Sequence, residues 1–188
     1  MKNPDFVLFV GPMFGGKTTR LLAALDRYHH QKRIIAAFKP KIDERYGSSS
    51  INTHTGGRLA AKKVCSGIEI EECILNSDEN PDVVAVDEAF MIPGSGKSLI
   101  NLYKAGITVV ASTLQLASTG NPYDEIKEMM PWATKIEICP AVCTTCGADA
   151  FFTTKTGGKP EDEIEVGGSE LYEPRCARHI INLNEFNI

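Results

Sequence analysis

Short, continuously apolar runs alternate along the chain with segments in which apolar residues recur at helical spacing. The first run, Phe6–Val10, has no polar position, which indicates a strand buried on both faces of a parallel sheet. After a glycine-rich turn, Leu21, Leu22 and Leu25 fall on one face of a predicted helix. Strands alternating with helices predict an α/β fold with right-handed crossovers. The further predicted strands are Arg33–Phe38, Val83–Val86, Thr108–Ala111 and Thr134–Ile138, and the further predicted helices are Ser98–Lys104 and Tyr123–Met130.

The pattern changes after Cys139. From Pro140 onward, paired cysteine and histidine positions, two glycine pairs and the polar stretch Lys155–Glu163 replace the alternation of strands and helices. We therefore predict a boundary near Cys139. An α/β domain spans residues 1–139, and a small lobe spans residues 140–188.

Composition narrows the class of protein. The 188 residues are 43% hydrophobic and 23% charged, as in ordinary globular proteins, and the net charge is −4. This acidic balance argues against a nucleic-acid partner, because a surface that binds nucleic acid needs clustered basic residues. No apolar run approaches the roughly 18 residues of a membrane span, and residues 1–5 lack the apolar core of a signal peptide. We therefore expect a cytoplasmic protein with no membrane partner.

The turn after the first strand carries the pattern G-x-x-x-x-G-K-[ST], formed by Gly11, Gly16, Lys17 and Thr18. Glycines let the backbone approach phosphates closely, so that its N–H groups and the helix N-terminus face them. A lysine there reaches the β- and γ-phosphates, and a hydroxyl is available to Mg²⁺. Because a strand precedes the turn and a helix follows it, we interpret it as a phosphate loop rather than an empty glycine turn.

A second glycine-rich fragment, Gly94–Ser98, resembles this pattern only superficially. Met91 stands where the pattern requires its first glycine, and the preceding strand ends too early for a tight turn. We predict a turn followed by the start of a helix, with Ser95 or Ser98 as its cap.

Two adjacent carboxylates follow the strand Val83–Val86. Asp87 stands at the carboxyl end of this strand, where open α/β sheets bind ligands, and is suited to hold Mg²⁺. Glu88, the next residue, is suited to accept a proton from a hydroxyl group or a water molecule. The alternative is that Glu88 is a solvated turn residue. The pair alone does not separate a kinase from an ATPase.

The six cysteines divide into two groups. Cys143 and Cys146 form C-x₂-C, and Cys176 and His179 form C-x₂-H, which together supply the four ligands of a closed tetrahedral zinc site. Such a site has no open position, so we predict structural zinc. A redox C-x₂-C would not predict the second pair. We interpret the other three as small buried hydrophobes, namely Cys65, Cys73 and Cys139.

Taken in this order, the phosphate loop, the acidic pair and the predicted zinc ligands resemble those of the type II thymidine kinases, the cytosolic, bacterial and viral form of that enzyme. Gly11–Thr19 is similar to their phosphate loop GPMFSGKST, and Asp87-Glu88-Ala89 matches the start of their DEAQF or DEGQF motif. The stretch 43–54, with Asp43, Arg45, Tyr46, Thr53 and His54, resembles D-x-R-Y…S-x-x-x-x-T-H. Ile164–Cys176 resembles V-I-G-G-x-x-x-Y-x-x-x-C.

The resemblance implies transfer of the γ-phosphoryl group of ATP to the 5′-hydroxyl of deoxythymidine, giving dTMP. It implies that Glu88 is the base, that Lys17 and Arg45 stabilise the transferred group, and that Thr18 and Asp87 hold Mg²⁺. It also implies a lobe closing over the nucleoside, a homotetramer, and inhibition by the triphosphate end product. The implied nucleotide-binding residues are Gly11, Pro12, Met13, Phe14, Gly15, Gly16, Lys17, Thr18, Thr19, Asp87, Glu88, Ala89 and Phe90. The implied substrate-binding residues are Met13, Asp43, Arg45, Glu165, Val166, Gly167, Gly168 and Tyr172.

Two positions depart from the family pattern. Phe90 and Met91 stand where the family usually has Gln and Phe, and Ser118 stands where an aromatic ring usually covers the base. A ring lost from a pocket removes about 1 kcal/mol of aromatic contact. The alternative function is therefore a related deoxynucleoside kinase with altered base preference. A more distant alternative is a zinc-ribbon ATPase that acts on nucleic acid.

Overall fold

The computed structural model describes residues 3–43, 49–52, 56–158 and 164–180. The helices are α1 (Lys17–His30), α2 (Gly67–Leu75), α3 (Ser95–Lys104) and α4 (Asp124–Met129). The strands are β1 (Phe6–Val10), β2 (Ile35–Pro40), β3 (Ser50–Asn52), β4 (Arg58–Ala60), β5 (Lys62–Val64), β6 (Val83–Val86), β7 (Thr108–Thr113), β8 (Lys135–Ile138), β9 (Ala141–Val142), β10 (Asp149–Ala150), β11 (Phe152–Lys155) and β12 (Tyr172–Arg175).

Six strands form one parallel sheet in the order β5–β2–β6–β7–β1–β8. Each predicted strand of the α/β domain is present in it, with ends that differ from the prediction by no more than two residues. The α/β class with a parallel sheet is therefore confirmed. Because all six strands point the same way, the turns after β1, β6 and β7 meet at one edge of the sheet.

Both faces of the sheet are covered by helices, as the contacts of the β1 side chains show. Its side chains alternate between the faces, as in any strand. Phe6, Leu8 and Val10 belong to the core cluster formed with α2, α3 and α4. Val7 and Phe9 belong to the opposite cluster, which includes Leu21 and Leu25 of α1. Burial on both faces is the reason that β1 has no polar position.

Helix α2 and strands β3, β4 and β5 were not predicted. A local signal for α2 was present, since Ser66 Oγ accepts a hydrogen bond from the Glu69 backbone N–H at 3.4 Å and Glu69 Oε2 accepts one from Cys65 N–H at 2.8 Å. This S-x-x-E pattern marks a helix N-terminus. The same turn exposes Cys65, so the prediction that Cys65 is buried was wrong. Cys139 is buried as predicted, and Cys73 is half-buried.

The fragment Gly94–Ser98 starts helix α3, as predicted, but neither serine caps it. The N-cap is Gly94, whose φ of 75° favours glycine. The Glu125 carboxylate, from α4, accepts the backbone N–H groups of Gly94 at 2.8 Å and Gly96 at 2.6 Å. A protein carboxylate thus occupies the place that a phosphate takes at a phosphate loop, which explains why this fragment is not a second one.

Beyond Cys139, the described chain forms two small antiparallel pairs, β9–β10 and β11–β12. Their small hydrophobic cluster consists of Ala141, Cys143, Ala150 and Cys176, and Tyr172 of β12 is buried as well. A core of this size cannot hold a lobe together without further support. Among the residues that the structure describes, no helix is both long and apolar enough to cross a membrane.

Candidate active site

The phosphate loop connects β1 to α1 and packs against the backbone of Cys139. A Cβ atom built on Gly11 or on Gly15 would lie 2.3 Å from the Cys139 carbonyl oxygen, so both positions exclude larger residues in this conformation. Gly16 has a φ of 72° and forms the N-cap of α1 without a side-chain cap. The first N–H groups of α1 therefore face the loop rather than a capping side chain.

Lys17 lies over the loop and is almost completely buried. Its Nζ donates a hydrogen bond to the Pro12 carbonyl oxygen at 2.7 Å, which holds the ammonium group above the turn. Two other residues of the predicted nucleotide-binding set point outward, since Phe14 and Thr19 are exposed. The loop thus brings a positive charge and a helix N-terminus to the same point, an arrangement suited to an anion.

The Asp87 carboxylate stands opposite this loop. Thr18 Oγ1 donates a hydrogen bond to it, at 3.1 Å from Oδ1 and 3.2 Å from Oδ2, and Ser112 Oγ donates to Oδ1. Burial and then the charge of Glu88 raise the pKa of Asp87 to about 6, while hydrogen bonds from Ser112 and Thr18 and the charge of Lys17 oppose the rise. The site therefore holds a buried acid whose charge is poorly compensated by the described side chains.

The oxygen pair of Thr18 and Asp87 fits a magnesium ion. Mg²⁺ binds oxygen ligands octahedrally at about 2.1 Å, so that neighbouring ligands lie about 3 Å apart. The distances from Thr18 Oγ1 to the Asp87 oxygens are close to this value. The donor set, a hydroxyl and a carboxylate, is also the set that a hard cation prefers.

Glu88 has a left-handed backbone, with a φ of 52°. Few residues other than glycine adopt this conformation, and those that do concentrate at functional sites. The Glu88 backbone N–H donates to Ser112 Oγ at 3.3 Å, and the Glu88 Oε2 atom is buried. The turn directs Glu88 into a neighbouring pocket.

This central pocket encloses about 390 Å³ of atom-free space, including the space at its mouth. It lies between the carboxyl edge of the sheet and the C-terminal lobe, and Glu88 is its acidic group on the sheet side. The lining residues are Met13, Glu88, Phe90, Met91, Leu114, Ser118, Tyr123, Thr153, Ile164, Glu165, Gly167 and Tyr172. The pocket is therefore lined by residues from both the sheet side and the lobe side of the predicted substrate site.

One wall of the central pocket is apolar and aromatic. The rings of Phe90 and Tyr123 lie with their centroids 4.6 Å apart and their planes inclined by 40°. Both rings are buried, and Ser118 also lines the pocket. The pocket thus retains aromatic side chains although Ser118 itself has no ring. Tyr123 was not among the predicted site residues; the Pro122-Tyr123 pair was the available signal.

The lobe supplies the opposite wall. The Tyr172 hydroxyl donates to the Glu165 carbonyl oxygen at 2.8 Å, and Lys155 Nζ lies 2.7 Å from Glu165 Oε2. The Met13 backbone N–H donates to Thr153 Oγ1 at 3.0 Å, which joins the phosphate loop to β11. Thr153 was not predicted, because no motif marks it.

Three other predicted substrate residues that the structure describes lie outside this lining. Val166 and Gly168 are half-buried beside Gly167, and Asp43 is buried after β2. Arg45 lies outside the described residues, as do Tyr46, Thr53 and His54.

The four predicted metal ligands form a cluster in the lobe. The ligand atoms of Cys143, Cys146, Cys176 and His179 lie within 4.8 Å of one another. Cys146 Sγ and Cys176 Sγ are 3.8 Å apart, which is close to the sulfur separation of about 3.8 Å expected for tetrahedral zinc with Zn–S bonds of about 2.3 Å. Cys176 Sγ lies 3.2 Å from His179 Nδ1. The donor set and spacing fit zinc.

The Cys143 thiol is prepared for metal binding by its surroundings. A backbone hydrogen bond from Cys176 has the largest effect, and with those from Thr145 and Cys146 it lowers the pKa of Cys143 to about 5, against the opposing effect of burial. A thiolate is the form that binds metal.

Comparison with known proteins agrees with this geometry. A family model described as thymidine kinase matches residues 5–180. A thymidine kinase of Thermococcus kodakarensis is 40% identical over 182 residues, covering 92% of this chain and 91% of the relative. A thymidine kinase of Pyrobaculum aerophilum is 35% identical over 180 residues (93% and 97% coverage). One of Deinococcus radiodurans is 34% identical over 177 residues (87% and 84%). The chain belongs to the thymidine kinase family.

Proposed function

We propose that the protein transfers the γ-phosphoryl group of ATP to the 5′-hydroxyl of deoxythymidine. The observation that carries the proposal is the position of Glu88. It follows Asp87, which is hydrogen-bonded to the phosphate loop, and it also lines the central pocket. A carboxylate shared by a phosphate site and an organic pocket is suited to accept a proton from a hydroxyl group that attacks a phosphoryl group.

Each group at the site has a role in this proposal. Lys17 and the N-terminus of α1 bind the phosphates and stabilise the charge of the transferred group. Thr18 and Asp87 would hold Mg²⁺, which neutralises charge between the β- and γ-phosphates. Glu88 accepts the proton of the 5′-hydroxyl. By resemblance, Arg45 adds a guanidinium near the transferred phosphoryl group.

The central pocket would bind the nucleoside. Its aromatic and apolar wall, with Phe90 and Tyr123, is suited to the faces of a base. The backbone around Glu165–Gly168 offers hydrogen-bonding groups on the lobe side. We propose that residues 1–139 form the ATP-binding domain and that residues 140–188 form a zinc-stabilised lobe over the nucleoside. Zinc at Cys143, Cys146, Cys176 and His179 has a structural role.

The test is phosphoryl transfer by Glu88→Gln compared with Glu72→Gln, a control at an exposed position on α2. Glu88→Gln is expected to lower kcat by about 100-fold or more while ATP binding persists, because proton abstraction of this kind contributes 10² to 10⁴ in rate. Glu72→Gln is expected to match the wild type. An unchanged kcat in Glu88→Gln would show that Glu88 is not the base.

A related deoxynucleoside kinase with a different base preference is the second candidate, favoured by Ser118 on the pocket wall. Assays with thymidine, deoxyuridine, purine deoxynucleosides and 5-substituted pyrimidines separate the two. A purine or modified base that exceeds thymidine tenfold in kcat/KM, about 1.4 kcal/mol, would exclude the first candidate. ATP hydrolysis stimulated by nucleic acid, without an acceptor nucleoside, would instead favour the zinc-ribbon ATPase, against which the net charge of −4 weighs.

Three further properties are proposed, the first from the sequence pattern as well as the resemblance and the other two from the resemblance alone. They are a cytoplasmic location, a homotetramer and inhibition by the triphosphate of the product nucleoside. Light scattering of the purified protein tests the assembly, and inhibition assays with thymidine triphosphate test the regulation.

A further inference from the structure

Ser112 lies next to the acidic pair although the two are far apart in sequence. It stands near the carboxyl end of β7, and the pairing of β6 with β7 places Val86 opposite Ala111. Ser112 follows Ala111, just as Asp87 follows Val86, so the residues after the two paired positions meet at the sheet edge. The Ser112 side chain is completely buried there.

The Ser112 hydroxyl contacts both acidic residues. Its proton is donated to Asp87 Oδ1, and its oxygen accepts the backbone N–H of Glu88 at 3.3 Å. The first contact holds one carboxylate oxygen of Asp87, and Thr18 Oγ1 lies within hydrogen-bonding distance of both oxygens. The second contact holds the peptide of Glu88 at the point where its φ is 52°. A left-handed backbone at a residue other than glycine persists only where its surroundings hold it.

We propose that Ser112 is a positioning residue for phosphoryl transfer, which orients the Asp87 carboxylate towards the magnesium site and fixes the Glu88 backbone so that its side chain enters the central pocket. This inference rests on the proposed function. A single buried hydroxyl therefore sets the geometry of both the metal-binding acid and the base.

The test is Ser112→Ala, with Thr108→Val as the matched control. Thr108 is at the opposite end of β7, is buried, and accepts the Asp5 backbone N–H at 3.3 Å, so it loses a comparable hydrogen bond away from the site. Ser112→Ala is expected to lower kcat by about tenfold or more, because a hydrogen bond to a charged group is lost. The nucleoside KM should stay within about threefold, and the Mg²⁺ concentration for half-maximal activity should rise.

Two observations separate positioning from simple loss of stability. Thr108→Val should keep the wild-type kcat and Mg²⁺ dependence even if its melting temperature falls as far as that of Ser112→Ala. Ser112→Thr, which restores the hydroxyl, should recover most of the lost kcat. If Ser112→Ala does not fold, Ser112→Cys replaces it, because a thiol of similar size is a weaker hydrogen-bonding group.

A Ser112→Ala enzyme with kcat within twofold of the wild type and unchanged Mg²⁺ dependence would overturn the inference. An equal loss of kcat in Thr108→Val would overturn it as well. Calorimetric titration with ATP, with and without Mg²⁺, gives a readout that does not need turnover. Ser112→Ala should lose most of the Mg²⁺-dependent gain in ATP affinity. If the wild type phosphorylates no nucleoside, the proposed function fails, and this titration alone decides the role of Ser112.

Discussion

Asp87→Asn is expected to make the protein more stable while abolishing its activity. Asp87 is buried beside Glu88, and these two conditions raise the pKa of its carboxyl group from 3.8 to about 6. The folded state therefore holds the proton more tightly than the unfolded state does. That rise corresponds to about 3 kcal/mol of unfolding free energy lost at neutral pH. Asparagine has nearly the same shape and no charge, so it removes this cost.

The sign of the pH dependence follows from the same shift. Well below pH 3.8 the carboxyl group is protonated in both states and imposes no penalty. As the pH rises towards 6, the unfolded state ionises first and the stability of the wild type falls. The gain in unfolding free energy from Asp87→Asn should thus be about 3 kcal/mol at pH 7.5 and about half of that at pH 5.

Urea titrations in magnesium-free and nucleotide-free buffer, at equal protein concentration, measure this difference. The control is Asp78→Asn, at an exposed position between α2 and β6, which is expected to change the unfolding free energy by less than about 0.5 kcal/mol. An Asp87→Asn protein that is no more stable than the wild type at pH 7.5 would refute the argument that burial of this charge carries a cost.

Two further predictions concern the lobe. Lys155→Ala and Glu165→Ala should each raise the nucleoside KM more than the ATP KM, because the ion pair between these two side chains, 2.7 Å long, holds the pocket wall. A double-mutant cycle should give a coupling free energy of about 1 kcal/mol or more. Additive effects of the two substitutions would contradict this. Cys143→Ser should release zinc and raise the nucleoside KM or prevent folding, whereas Cys65→Ser, at an exposed position outside the cluster, should keep its metal and its activity. Metal analysis with KM measurements checks the second prediction, and a fully active, metal-free Cys143→Ser would rule it out.

The sequence predicted the parts of the molecule that local patterns encode. Continuous apolar runs marked strands β1 and β6, because burial on both faces removes every polar position from them. The glycine-rich turn after β1 and the two pairs of metal ligands were likewise readable, since the turn and each pair are specified by residues at short spacings. Helix α2 was missed although its S-x-x-E signal at Ser66 was present and although Ile70, Cys73 and Ile74, which pack on the core, recur at helical spacing.

What the sequence did not reveal depends on pairing between distant segments. Ser112 is 24 residues from Glu88, and only the register of β6 against β7 brings their polar atoms together. Glu125 belongs to α4 and accepts a hydrogen bond from the N-terminus of α3, and no sequence motif indicates this contact. The ring of Tyr123 reaches Phe90 in the same way. Such contacts follow from tertiary packing, so a residue with no motif of its own can still determine the geometry of a site.

The phosphate loop and the lobe are joined at Met13. Loss of the metal should therefore weaken nucleoside binding before it destabilises the sheet. Met13 belongs to the loop, lines the central pocket and donates its backbone N–H to Thr153 of β11. Strand β11 pairs with β12, whose Tyr172 holds the Glu165 carbonyl at the pocket. The lobe has only a minimal core of its own, whereas the sheet is covered on both faces. The lobe side of the pocket wall therefore depends on the metal cluster, while the Thr18–Asp87 contact depends on the sheet.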